Sequence, residues 1–167
     1  MPDPGSDRQR AAATGRTGRS ELRPSGFDRG LVFVQFLVPT LLIFSLRIDR
    51  ANAAALLICI AGTLLHVAAL RSLGRRNLRV LPQPKTDGTL TVSGPYRIVR
   101  HPMYTALLLF CSGLAVAPLA FWKVAAMLVL LGVLIVKAKR EEKFLSRCYP
   151  EYAAYAKSNW MLLPPIL

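Results

Sequence analysis

Two short segments hold most of the residue types that could do chemistry. The first, Gly94-Pro95-Tyr96-Arg97-Ile98-Val99-Arg100-His101-Pro102-Met103-Tyr104, sets two guanidinium groups, an imidazole and two phenols just ahead of an apolar run. The second, Lys137-Ala138-Lys139-Arg140-Glu141-Glu142-Lys143-Phe144-Leu145, sets adjacent carboxylates among cations just after another apolar run. Pro102 suits the first position of a helix, whose free N–H groups and dipole attract an anion, and Arg100 and His101 add charge-assisted donors there. Glu141 and Glu142 supply acceptors for an ammonium or for hydroxyls. A carboxylate, an ammonium, a ribose and a sulfonium occur together in S-adenosylmethionine, which fits this inventory. A zwitterionic lipid headgroup or a phosphate fits it too. The plain alternative is that Arg100 and His101 anchor a helix end at headgroup phosphates, with Glu141 and Glu142 on a solvated face of weak ion pairs.

The elements that must position these residues are apolar. The chain has 167 residues, 53% of them hydrophobic, and carries 22 Lys and Arg against 9 Asp and Glu. Its mean hydropathy is +0.36. Apolar runs this long exceed what a soluble core of this size uses, and a membrane-crossing helix takes about 20 residues, which leaves no room for a soluble Rossmann-type domain. The expected architecture is an all-α integral membrane protein with about four transmembrane helices, over residues 31–46, 51–70, 103–117 and 119–136, and a C-terminal cytosolic helical segment. Pro39 is expected to kink the first span, and Lys123 to snorkel to the interface. Residues 1–29, rich in Arg, Gly, Ser, Thr and Pro, read as a disordered basic tail ahead of a membrane domain over residues 30–167. An N-terminal signal peptide competes for the first span, but its basic region is overlong and charges crowd the cleavage site.

With four crossings, the tail, the loop from Arg71 to His101 and the C-terminal segment share one side, which holds 19 of the 22 Lys and Arg. The positive-inside rule makes that side cytosolic and puts both termini there. The Ala- and Arg-rich composition suggests a bacterial inner membrane. The charge lies between apolar segments, so its partners are membrane lipids and no nucleic acid is expected. Cys59, Cys111 and Cys148 are far apart, and with two histidines no metal site and no disulfide are expected. His66 reads as a bundle-facing polar residue. Tyr149, Tyr152, Tyr155 and Trp160 read as an interfacial aromatic belt, some of which could close a pocket. Oligomeric state is not legible.

Over about half the chain, from Asp87-Gly88 through Gly94-Pro95-Tyr96, Arg100-His101-Pro102-x-Tyr104, Glu141-Glu142-x-x-Leu145 and Tyr149-Pro150-Glu151-Tyr152-x-x-Tyr155 to Leu163-Pro164, the sequence resembles the integral-membrane isoprenylcysteine carboxyl methyltransferases and their bacterial relatives. These share a C-terminal region with phospholipid N-methyltransferases. The resemblance implies an S-adenosylmethionine-dependent methyltransferase working at the cytosolic membrane surface. It carries the cofactor site onto Thr89, Leu90, Thr91, Val92, Tyr96, Arg100, His101, Pro102, Tyr104, Glu141 and Glu142. Where members that methylate prenylated cysteine have an arginine for the acceptor carboxylate, one turn before the glutamate pair, this chain has Lys137, which keeps the charge but loses the bidentate fork. The expected reaction is direct methyl transfer to a carboxylate of a lipophilic, lipid-like or prenylcysteine-like acceptor, helped by positioning and desolvation. An amine acceptor, as in a phospholipid N-methyltransferase, would need His101 or Glu141 as base, which makes these two the catalytic candidates. A non-enzymatic four-helix scaffold or lipid-binding protein is the alternative of another class.

Overall fold

The computed structural model describes residues 25–46, 53–77, 90–116 and 118–164. Among the described residues five α-helices follow one another: α1 (Gly26–Phe44), α2 (Ala53–Asn77), α3 (Pro102–Ala115), α4 (Phe121–Cys148) and α5 (Tyr152–Ser158), with a 3₁₀ turn at Gly94–Arg97 ahead of α3. Among the described residues no strand occurs beyond a single parallel bridge between Val99 and Trp160. Three helices, Gly26–Phe44, Ala53–Gly74 and Phe121–Cys148, are long and apolar enough to cross a membrane, and α3 is a shorter apolar helix. Large apolar side chains such as Phe33, Leu56, Leu64 and Phe121 are at least 61% exposed, a surface suited to lipid and costly in water. The protein is an all-α membrane protein.

Helix limits depart from the sequence expectations where local chemistry overrides hydropathy. The first helix starts at Gly26, inside the segment read as tail, because Ser25 and Asp28 form a reciprocal capping box: Ser25 N donates to Asp28 Oδ2 at 2.9 Å and Asp28 N donates to Ser25 Oγ at 3.2 Å. Residues 1–24 lie outside the described residues. The helix runs through Pro39 without a break. The second helix starts at Ala53 and runs past Leu70 through residues assigned to the loop; its helical geometry breaks at Gly74, whose φ of +71° suits glycine alone. The third spans Pro102–Ala115, 14 residues or about 21 Å, and Ala117 lies outside the described residues. The fourth starts at Phe121 and continues to Cys148, well past Val136.

Small residues set how closely the helices pack. A Cβ on Gly113 would lie 2.6 Å from Cys59 Sγ and 2.8 Å from Ala55 O, and one on Gly62 would lie 2.6 Å from Phe110 N, so α2 and α3 run antiparallel with backbones in near contact. The α1 helix lies chiefly on α4, and Leu42, Leu108, Leu130 and Leu134 fill the space between the pairs. Lys123 does not snorkel: it is 2% exposed and donates from Nζ to Leu114 O at 3.2 Å, satisfying a carbonyl at the end of α3. Gly113→Val should therefore destabilise the protein by about 1–3 kcal/mol. This would appear as a lower unfolding midpoint in detergent, whereas Gly132→Ala, at a site with nothing within 4 Å, should not lower it.

Candidate functional site

The α3–α4 hairpin returns the late turns of α4 to the start of α3. His101, the N-cap of α3, is 6% exposed. Its Nδ1 lies 3.4 Å from Glu141 Oε2 and its Nε2 lies 3.2 Å from Glu142 Oε1. The Tyr104 hydroxyl donates to Glu141 Oε1. Successive residues of a helix point about 100° apart, so two neighbouring glutamates cannot both reach one small partner head-on. An imidazole solves this by offering nitrogens on opposite edges. Both contacts are attractive only if both nitrogens carry protons. Burial opposes that charge, but hydrogen bonds and charges from Glu141 and Glu142 outweigh it, and the His101 pKa rises above its usual 6.5.

Arg100 joins the network from the side. Its Nε lies 2.8 Å from Glu142 Oε1, a charge contact without the alignment of a hydrogen bond, since the same Nε has no hydrogen-bond partner among the described residues. The directed bonds of Arg100 come from Nη1, to Ala156 O at 2.5 Å and Asn159 O at 3.2 Å, where they cap the last turn of α5. The C-terminal segment then runs beside the start of α3: Trp160 N donates to Ile98 O at 3.2 Å, Arg100 N to Trp160 O at 2.7 Å, and His101 N to Met161 O at 3.2 Å. Tyr104 N is spent on His101 O. The expectation of free N–H groups awaiting an anion here is thus corrected for these three residues, because the C-terminal segment and the first turn take them. Side chains supply the anion-binding capacity instead.

Phenols close the remaining side. The Tyr155 hydroxyl donates to Tyr96 O at 2.7 Å, and Asn159 Nδ2 donates to Tyr96 O at 3.2 Å and to Arg97 O at 2.5 Å. Burial first, then the Glu142 charge against the opposing Arg100, pushes the Tyr155 phenol up to about 12. Burial and the Glu142 charge also raise Tyr152, which is 3% exposed and whose hydroxyl lacks a well-aligned partner near Glu142. Tyr152 and Tyr155 therefore belong to the site wall, not to an aromatic belt, whereas Trp160 is exposed. Their i, i+3 spacing on α5 was the available sequence signal.

The structure brings Arg100, His101, Pro102, Tyr104, Glu141, Glu142 and Lys137 together at one end of the bundle, with Tyr96 buried in the 3₁₀ turn behind them. Leu90 and Thr91 are half-buried and Val92 exposed in the irregular segment ahead of that turn, and Thr89 lies outside the described residues. Lys137 is 2% exposed; its Nζ donates to Gln35 Oε1 at 2.5 Å and sits 5.2 Å from the centre of the Tyr104 ring. Sequence reasoning missed Gln35, Asp28 and Asn159. The first two were legible as lone polar interruptions at and within the first apolar helix.

A residue whose pKa is raised by folding adds stability below its unfolded value, and that stability is lost as pH climbs through the folded value. Thermal stability of the wild type should therefore fall as pH rises from about 6 to 9. The decline should be flatter in His101→Gln, measured by thermal melts in one detergent.

With this geometry in place, comparison with known proteins gives two results. Residues 51–152, from just before α2 to the first residue of α5, match the phospholipid methyltransferase family. The chain is 32% identical over 160 residues to the cobalt-zinc-cadmium resistance protein CzcN of Cupriavidus metallidurans, an alignment covering 87% of this chain and 72% of that protein. The matched stretch contains every residue of the His101–Glu141–Glu142 network, and the chain belongs to the phospholipid methyltransferase family.

Proposed function

We propose that this membrane methyltransferase takes its methyl group from S-adenosylmethionine and delivers it to a carboxylate of a lipid-like or prenylcysteine-like acceptor, at the cytosolic face of a bacterial inner membrane. The observation that carries this reading is a half-buried cluster of both charge signs, Arg100, Glu141 and Glu142 around the buried His101, at one end of a membrane hairpin. A zwitterion needs both signs in one place. Two buried donors beside Glu142, Arg100 Nε and the Tyr152 hydroxyl, have hydrogen-bonding capacity to spare, so the residues present fit such a ligand. Arg100 and His101 would hold its carboxylate, and Glu141 and Glu142 its ammonium or ribose hydroxyls. When bound, S-adenosylmethionine supplies an electrophilic methyl on a sulfonium.

The chain's own contribution is placement and dryness. Lys137 is a cation in the apolar bundle, with Gln35 as a neutral partner and no carboxylate within 4 Å of its amine among the described residues. A buried cation so placed favours an anionic group on the acceptor. A carboxylate acceptor arrives already ionised and needs no base. The family match favours a second reading, a phospholipid amine acceptor. An amine must first lose a proton, and Glu141 suits that task better than His101, which already holds protons toward both carboxylates.

Transfer of labelled methyl into a membrane extract by the purified protein tests both. Label released by mild base supports the carboxylate reading, and label that resists base supports the amine. In the first case Lys137→Met should cut transfer about a hundredfold while cofactor affinity stays within about twofold. A folded wild type that labels nothing contradicts both.

A further inference from the structure

Gln35 is the residue of α1 that reaches Lys137. It lies about 14 Å along the helix from Gly26, half-buried between the core residues Val34 and Val38 and the exposed Phe36 and Leu37. An ammonium can only donate, so the bond from Lys137 Nζ to Gln35 Oε1 at 2.5 Å sets the carboxamide with its oxygen toward the lysine. Both Nε2 hydrogens are left over, and the Gln35 side chain makes no other hydrogen bond with a described residue. Lys137 has a surplus too. One of its N–H groups goes to Gln35, and the ammonium sits 5.2 Å from the centre of the Tyr104 ring, which leaves donor capacity over. An unpartnered amide donor in an apolar helix is costly at membrane depth, where no water replaces the missing bond, and such polar groups mark ligand paths.

Two helices thus bring together two donors, one charged and one neutral. A carboxylate offers two oxygens to a fork of donors, which an arginine supplies from one side chain and which a lone ammonium cannot. We infer that Gln35 is a second acceptor-binding residue: its Nε2 donates to one oxygen of the acceptor carboxylate while Lys137 Nζ donates to the other. The inference rests on the methyl-transfer reading for the identity of the ligand, and it adds a residue from outside the stretch that matches the family. A carboxylate in the fork also balances the Lys137 charge, which the neutral Gln35 leaves uncompensated. Its position suits transfer. Lys137 is one turn, about 6 Å, before Glu141 along α4, and Tyr104 spans that turn with its hydroxyl on Glu141 and its ring beside Lys137.

The test measures binding of a prenylcysteine-like acid, N-acetyl-S-farnesylcysteine, and of its methyl ester to the full chain in a neutral detergent by calorimetry, with labelled-methyl transfer to the acid on the same samples. The wild type should bind the acid at least about tenfold more tightly than the ester. Gln35→Leu should weaken the acid about tenfold and the ester less than about twofold, with S-adenosylmethionine affinity within about twofold of the wild type. Gln35→Glu still accepts from Lys137 but donates nothing when ionised, so it should abolish the preference for the acid. Lys137→Arg added to Gln35→Leu should bring the acid back to within about threefold of the wild type, because one guanidinium carries the whole fork. A Gln35→Glu protein that keeps the preference would reduce Gln35 to a support for Lys137, overturning the inference and leaving the methyl-transfer reading standing. Equal losses of acid and ester in Gln35→Leu, or no preference in the wild type, would also overturn it. A preference that depends on Gln35, in a protein that transfers no methyl to the acid, would support the donor pair and contradict the methyl-transfer reading.

Discussion

An imidazole held between two neighbouring carboxylates is the contact on which this structure depends. Glu141 and Glu142 would repel each other and lose solvation if their end of the hairpin folded without a counter-charge. His101 reaches both, Arg100 adds charge to one, and Tyr104 hydrogen-bonds the other. The arrangement also fixes the register of α4 against α3. A slip of one helical turn would bring Lys137 and Ala138 opposite the His101 imidazole, replacing two carboxylate partners with an ammonium and a methyl group. Removing one member of such a half-buried cluster leaves a poorly compensated charge, which costs more than the loss of an exposed surface pair, worth about 0.2–1 kcal/mol.

Two elements outside the matched stretch clamp the two sides of this network. On one side, residues 159–162 run beside residues 98–101, bind backbone N–H groups at the start of α3, and take Arg100's Nη1. Thr105 Oγ1 donates to Leu162 O at 2.6 Å and extends this join by another turn. On the other side, α1 brings Gln35 to Lys137 and Asp28 to Arg140. The family region thus carries the charge network, and the flanking α1 reaches the buried Lys137 beside it.

Much of the site was legible because its chemistry is local in sequence. Pro102 marks a helix start, the glutamate pair marks a late turn of the next long helix, and a tight connection between them forces the two ends together. Fold class followed from apolar run length. Less legible were features decided by contacts distant in sequence. Hydropathy saw residues 26–29 as tail, whereas a capping box makes them the first turn of α1. Tyr152 has the composition of a membrane-interface residue, and only the return of α5 onto the hairpin shows that it is buried. The backbone donors of Arg100 and His101 looked free from local sequence, and the partners that take them lie about sixty residues away. Lys123 likewise looked like a snorkelling cation until the carbonyl of Leu114 claimed it.

The most direct test of the central claim is calorimetric titration of S-adenosylmethionine into the purified protein in lipid nanodiscs, comparing the wild type with His101→Gln and Glu142→Gln. The account predicts saturable one-site binding by the wild type and at least about tenfold weaker binding by each variant, since each removes a charged member of the network. Affinity unchanged in both folded variants, or no binding by a folded wild type, would contradict it.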